Sequence, residues 1–593
     1  MWVSARCCFY AAANRRVLVH CYANKAKYEY RPLCSKASRS GFDDYGSVRT
    51  SFDPVIPEKF NFAADVIDVW ARKEKDGYRN ASNPALWFVP EIGQEVKWNF
   101  QTLEYESKRV ANALQEQCRI NRGDNVIVML PKLPEFWLVN IAAIRIGAVL
   151  SPGSMMLTKK DLAHRLSVFS PSCIIAHESV VDLIDEVSAS FPTLKSKVIV
   201  APSKARGKKD WIDFHQIQNA ASDNHKCADT RSDESMAVFF TSGTTGQPKM
   251  AEHSHSSYGI GHLVTGKFFL DLTPETVMWS LSDTGWAKTA YSGIFGPWAC
   301  GSCAFVHGMP RFNARTTLQV LSKFPVDTFC SAPMGYRSML QEDLANHNFL
   351  KLSHCISAAE PLCPEIIDAW KAATGLQLYD GYGQTETVLI IGMFKCLEYK
   401  AGSMGKPAPG MDVVILDKNQ NEVGPGINGE IALKKRNGSI LGAFKGYRNE
   451  PEKTNKKVTD KYLLTGDVGY YDKDGYYWFV GRNDDIINSA GYRIGPFEVE
   501  SALLEHPAVL EVAVISSPDA SRGEVVKAFI VLKDAYLDKP ETILIKQLQE
   551  HAKKITAPYK YPRKIEFVTE LPKTTSGKIK RNELKQREWQ KCK

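Results

Sequence analysis

The stretch Ala237 to Lys249, AVFFTSGTTGQPK, limits the possible folds of this chain more than any other segment. Ala237, Val238, Phe239 and Phe240 read as a buried strand that runs into a loop with four hydroxyls, two glycines, a proline and a closing lysine. A loop of that make-up suits a polyphosphate. Gly243 and Gly246 let backbone amides point inward, Thr241, Ser242, Thr244 and Thr245 offer hydroxyl donors, and Gln247-Pro248 leads to Lys249, a mobile cation. The spacing is not GxxxxGK[ST], so a P-loop ATPase is not implied. A Ser/Thr/Gly cluster is more often a polar surface turn, but the close on Pro248-Lys249 favours the phosphate reading.

The strand before that loop has company. Helical periodicity over Ala63 to Lys75, Leu103 to Gln117 and Pro134 to Gly147 alternates with short apolar runs at Asn125 to Leu130, Ala148 to Leu150, Cys173 to Ala176, Lys197 to Ala201, Thr328 to Ser331 and His354 to Ser357. This alternation predicts crossover units and a large N-terminal α/β body. Near residue 400 the pattern changes to the hairpins of a small β-rich subdomain: Met411 to Leu416, Gly429 to Lys434 and Tyr476 to Phe479. After Arg482 it becomes α+β, with helices Pro496 to Glu505 and Glu541 to Lys554 and strands Val509 to Ser516, Lys527 to Leu532 and Lys564 to Phe567. A chain of 593 residues exceeds one core. The expected division is a leader over 1–45, a large domain over 50–481 and a smaller, mobile C-terminal domain over 482–593, with the boundary at Gly481 to Asp485.

Composition removes several classes. Hydrophobic content of 44% with 24% charged residues excludes disordered and fibrous chains. The most membrane-like segment, Phe136 to Leu150, is too short to span a bilayer, carries Arg145 and reads as a buried helix. The 14 cysteines lack paired spacings, which implies a reducing compartment, and Cys300 and Cys303 read as small core residues. Met1 to Tyr28 holds five basic residues and no acid, the composition of a mitochondrial transit peptide, and so implies the mitochondrion, in its matrix. The net charge of +9 is concentrated after His551 without aromatic-studded motifs, which suits a phosphorylated small molecule better than nucleic acid.

Further motifs follow in order. In DGYGQTE, Asp380, Gly381, Tyr382, Gly383, Gln384, Thr385 and Glu386, the tyrosine can stack on a purine and Thr385 can hydrogen-bond an α-phosphate or an acyl carboxylate. Glu386 is a hard oxygen ligand suited to Mg²⁺. Asp467 offers two acceptors to the two hydroxyls of a ribose, and Arg482 brings a planar fork to ribose or phosphate. Near the end stands LPKTTSGKIKR, Leu571 to Arg581, with Lys578 at its centre.

Taken in this order, the motifs resemble the adenylate-forming superfamily of acyl-CoA synthetases, luciferases and peptide-synthetase adenylation domains, from about residue 55 to 585. SDTGWAK, YGQTE, NFAADVIDVW and the transit-like start are most similar to the mitochondrial medium-chain acyl-CoA synthetases. The resemblance implies ATP, Mg²⁺ and coenzyme A as ligands, with the first loop gripping the β- and γ-phosphates. It assigns Ser282 to Trp298, with Trp286, to the acid pocket wall and Ser357 to Leu362 to the adenine. It makes Asp484 a hinge and Lys578 the catalytic lysine, beside Thr385. It gives coenzyme A the residues Ala490, Gly491, Tyr492, Arg493, Arg522, Lys553, Tyr561, Pro562 and Arg563, with Gly491 leaving a tunnel for the pantetheine arm. The implied activity is ATP-dependent adenylation of a medium-chain fatty acid and transfer to coenzyme A. A ligase for aromatic or other acids remains open, as do chain length and oligomeric state.

Overall fold

Helix Pro134–Ile146 shows how the large body is built. Proline at its first turn and Gly147 in the left-handed region at its end (φ 79°) set its limits, and every residue between except Glu135 is buried. The segment read as a buried helix is one. Its Arg145, fully buried, donates from Nε to Ser107 Oγ (2.8 Å) and from its two terminal nitrogens to both oxygens of Asp68 (3.0 and 2.5 Å). Asp68 opens helix Asp68–Lys75, which continues a π-helical turn, Ala63–Ile67, so the helix expected over Ala63 to Lys75 starts with a wider, underwound turn and goes on as a regular α-helix.

The structure is a computed structural model, and it describes residues 42, 44–201, 208–241, 248–489, 492–519, 522–574 and 577–591, with the side chain of Arg493 not described. The leader expected over 1–45 lies almost wholly outside them. Residues Ser38 to Lys593 form one compact unit. Two sheets with parallel centres form its larger part. An eight-stranded sheet runs from Gly446–Tyr447 through Lys249–Ser254, Ser235–Thr241, Val149–Pro152, Asn125–Met129, Cys173–His177 and Ser196–Val200 to Ile212–Asp213. A nine-stranded sheet holds Leu378–Gly383, His354–Ala358, Thr328–Ser331, Val277–Ser280 and Cys303–His307 side by side. A four-stranded antiparallel sheet, Val413–Leu416, Gly429–Lys434, Tyr462–Tyr471 and Tyr477–Arg482, is the predicted β-rich subdomain. Cys300 and Cys303 are buried, 1 and 0% exposed. No described helix is long and apolar enough to cross a membrane.

After Arg482 the chain builds a five-stranded sheet on Val509–Asp519 and Gly523–Leu532. Side chains alternate across this pair. Val512, Val514, Val526, Ala528 and Ile530 pack with helices Pro496–Leu504 and Glu541–Ile555. Ala513, Ile515, Phe529 and Val531 pack on the other side with Leu571, Ile579 and Leu584.

Two predictions follow from buried charge. Asp68→Ala strands the Arg145 guanidinium and should cost about 3 kcal/mol; in urea unfolding, Arg145→Met in the same chain should recover most of that loss, and equal midpoints for wild type and Asp68→Ala would contradict the assignment. Burial pushes the Asp380 carboxyl up to about 7, against the hydrogen bond it accepts from Gly381 N–H. Between its unfolded value, about 4, and 7 the folded chain keeps a proton that the unfolded chain releases, so this site's contribution to stability falls as pH rises through that window. Asp380→Asn should flatten the fall of the unfolding midpoint between pH 5 and 7, and an unchanged slope would contradict the burial argument.

Candidate active site

The DGYGQTE segment closes strand Leu378–Gly383 and turns back into Leu389–Gly392, with a bulge between Tyr382 and Gly383. The two glycines have internal reasons. A Cβ on Gly381 would stand 2.3 Å from the Phe269 ring, and one on Gly383 would stand 2.6 Å from the Val388 carbonyl oxygen. At both positions the protein's own atoms occupy the space that a side chain would need.

A polar chain runs outward from the turn. Tyr382 Oη donates to Asp467 Oδ2 (2.6 Å), and Gln384 Nε2 donates to the same oxygen (2.7 Å) and to the Thr465 carbonyl (2.9 Å). Lys457 Nζ donates to Gln384 Oε1 (3.0 Å) and lies 3.9 Å from Glu386 Oε1, which also accepts from Tyr447 Oη (2.5 Å). Burial alone would raise the Glu386 carboxyl, but Lys457 and Tyr447 hold it below the usual glutamate range, so it is ionised. Burial raises the Asp467 carboxyl against the pull of Tyr382 and Arg482, and its Oδ1 makes no hydrogen bond among the described residues. Cross-strand register sets Asp467 opposite Arg482, whose Nε donates to Asp484 Oδ1 (3.2 Å).

His253, in strand Lys249–Ser254, donates from Nε2 to the Thr385 carbonyl (2.6 Å) and meets Ser257 Oγ through Nδ1 (3.1 Å). Burial pushes its pKa down to about 4, so the ring is neutral and Nδ1 accepts. It fixes the turn from behind. Sequence reasoning missed His253, Tyr447 and Lys457; the HSHSS run just past Lys249 was the one visible signal, for His253.

Of the phosphate loop, Ser242, Gly243, Thr244, Thr245, Gly246 and Gln247 lie outside the described residues. Its ends are placed: Thr241 pairs with Lys249 across two antiparallel strands, and Lys249 Nζ stands 4.9 Å from the centre of the Tyr447 ring. The loop thus starts and ends beside the tyrosine that holds Glu386. Trp286 lines a pocket with Phe136, Asn140, Met236, Phe239 and Ile294.

Lys578 sits on a hairpin in which Lys573 bridges to Ile579 and Thr574 N–H donates to the Lys578 carbonyl (2.8 Å). The hairpin docks on the large body. A Cβ on Gly577 would stand 3.2 Å from Met334 Cε of helix Pro333–Met339, and the charge of Lys578 is felt by Glu360 and Lys288. Of the residues assigned to coenzyme A, Tyr561 and the helix that carries Lys553 lie on the other side of the small sheet. Tyr561 packs with the helices there, Lys553 Nζ stands 4.5 Å from the Tyr561 ring centre, and Arg563 donates to Tyr561 Oη (3.0 Å). The Pro562 carbonyl accepts from Gln549 (3.0 Å), and the exposed Tyr492 stacks on Tyr559 at 4.2 Å. Ser489 pairs with Gly523, which brings Arg522 close to that strand, and Ala490 and Gly491 lie outside the described residues. Arg493 pairs through its backbone with Asn488.

Comparison with known proteins agrees with this layout. Residues 74–448 match the family described as AMP-binding enzyme, and residues 498–578 match its C-terminal domain. The chain is 52% identical to acyl-coenzyme A synthetase ACSM3, mitochondrial, of Mus musculus, covering 93% of this chain and 95% of that protein. It is 50% identical to the mitochondrial synthetase ACSM4 of Rattus norvegicus over 92% and 93%. Among solved structures, the anthranilate CoA ligase AuaEII with anthranoyl-AMP superposes with a TM-score of 0.81 at 29% identity, covering 91% of this chain and 99% of that one. The acyl-CoA synthetase of Brucella canis gives 0.70 at 30%, over 93% and 100%. This chain belongs to the AMP-binding enzyme family, among its acyl-coenzyme A synthetases.

Proposed function

We propose that this chain activates a medium-chain fatty acid with ATP and passes the acyl group to coenzyme A, in the mitochondrial matrix. The observation that carries the reading is the small sheet with different tools on its two sides: the Lys578 hairpin on one, the Tyr561–Arg563 cluster on the other. The relatives named as mitochondrial acyl-coenzyme A synthetases support the substrate class and the compartment.

In the first step a carboxylate oxygen attacks the α-phosphorus of ATP, and the bond to pyrophosphate breaks. Two anions meet, and a fixed cation between them lowers the barrier. Lys578, on the docked hairpin, would supply it, with Thr385 as a hydroxyl donor held by His253. Thr241 to Lys249 would hold the departing phosphates, and Asp467 and Arg482 the ribose. A magnesium ion would neutralise triphosphate charge, with Glu386 as its ionised carboxylate ligand and its other ligands drawn from phosphate and water. In the second step the small domain, residues 482–593, turns about Asp484 against the large domain, residues 50–481. This withdraws Lys578 and brings Gly491 and the Tyr561 side to the adenylate. The thiolate sulfur attacks the acyl carbon, and the bond to AMP breaks. No covalent enzyme intermediate is needed.

The halves separate experimentally. Lys578→Ala should lower acid-dependent ATP–pyrophosphate exchange by about 10²–10³-fold while acyl-CoA formation from supplied acyl-adenylate stays near wild type. Gly491→Leu should do the reverse. Equal loss of both half-reactions in either variant would overturn the division of labour.

A further inference from the structure

Lys288 is 7% exposed, and its ammonium has no hydrogen-bond partner among the described residues. It lies two positions past Trp286 in the short helix Ala287–Ala290. Its carbonyl accepts from Ser292 Oγ (2.7 Å), and that hydroxyl meets Ser280 Oγ (2.6 Å) at the carboxyl end of strand Val277–Ser280. The backbone under Lys288 is therefore tied to the end of the nine-stranded sheet where the DGYGQTE strand also ends its parallel run.

Charge around the ammonium is unbalanced. The groups that act on it are the Cys330 thiol, Glu360 and Lys578. Burial raises Cys330 and keeps it a neutral thiol. Glu360 is the one carboxyl among them, itself raised by burial and shared with Lys578, Arg337 and Arg581. Arg581 has its own partner in Glu500, at 2.7 Å. An ammonium removed from water without an acceptor is strongly unfavourable, and burial lowers the pKa of Lys288 accordingly. A ligand that brings an anion removes the penalty.

The triphosphate and ribose have their own holders in the reading above, whereas the carboxylate of the acid has the Thr385 hydroxyl and the Lys578 of the small domain but no cation of the large body. Lys288 belongs to the Trp286 segment, and its charge and that of Lys578, the cation read above as meeting the carboxylate and the α-phosphate, act on each other. We propose that Lys288 binds the carboxylate of the acid substrate and holds it for attack, an inference that rests on reading the chain as an acid-activating ligase. When the acyl–oxygen–phosphorus link has formed, the carboxylate charge has left with pyrophosphate. Lys288 then loses its anion, so it grips the acid and adds no such hold on the adenylate, which the other groups keep for the second step.

The test uses the full chain with Lys288→Met, which keeps length and removes charge, and Lys288→Gln as a second neutral variant. In ATP–pyrophosphate exchange with hexanoate, both should raise KM for the acid at least tenfold while KM for ATP stays within twofold. Inhibition by hexan-1-ol, which lacks the carboxylate, should be unchanged. Thermal midpoints without substrate should hold or rise in Lys288→Met, since an unpaired buried charge is removed. An unchanged KM for hexanoate, or an effect confined to acids with a second polar group, overturns the inference. Absence of exchange by the wild type with every acid tried would instead overturn the ligase reading itself.

Discussion

The chain of hydrogen bonds and one ion pair, Tyr382–Asp467–Gln384–Lys457–Glu386–Tyr447, is the feature on which the site depends, because each of the three sheets of the large body contributes to it. Tyr382 comes from the nine-stranded sheet, Asp467 from the four-stranded one and Tyr447 from the edge of the eight-stranded one. His253, also from the eight-stranded sheet, anchors Thr385 from behind. Buried polar groups demand partners, so these contacts set the sheets relative to one another as well as the ligand-facing groups. A site at such a junction is held from three sheets at once.

That frame would suit a small domain that turns against it, as proposed above. The small domain presents the lysine hairpin to helix Pro333–Met339, while Tyr561, Arg563 and the Tyr492–Tyr559 stack lie across its sheet. Both sets cannot face one adenylate together. A fixed large body and a turning small one is the simplest arrangement that gives each its turn, and the strand running to Arg482 leads directly into the turn at Asp484 and Asp485 that joins them.

Much of this was legible in the sequence because the signals were local. Apolar runs bounded by turn residues located strands Thr328–Ser331, Gly429–Lys434 and Lys564–Phe567 to the residue, and proline and glycine marked both ends of helix Pro134–Ile146. What stayed hidden depends on contacts between distant segments. Lys457 and Tyr447 belong to no motif, yet they keep Glu386 ionised. The partner of Arg145 is 77 residues away. The packing reason for Gly381 and Gly383 was not legible, because the atoms that crowd them belong to the side chain of Phe269 and the carbonyl of Val388. Lys288 looked like one more residue of a pocket wall until its burial without a partner was visible.

The central claim, that one small domain serves two half-reactions from two positions, can be tested by holding it in the position seen here. Ser501 Oγ of helix Pro496–Leu504 lies 3.4 Å from the buried Cys363 Sγ of the large body, close enough for Ser501→Cys to form a disulfide with it. The decisive measurement is single-turnover product analysis of that variant, oxidised and reduced. The oxidised enzyme should form acyl-adenylate and pyrophosphate from hexanoate and ATP but no acyl-CoA, and reduction should restore the thioester. Acyl-CoA formed by the oxidised enzyme at the reduced enzyme's rate would contradict the account.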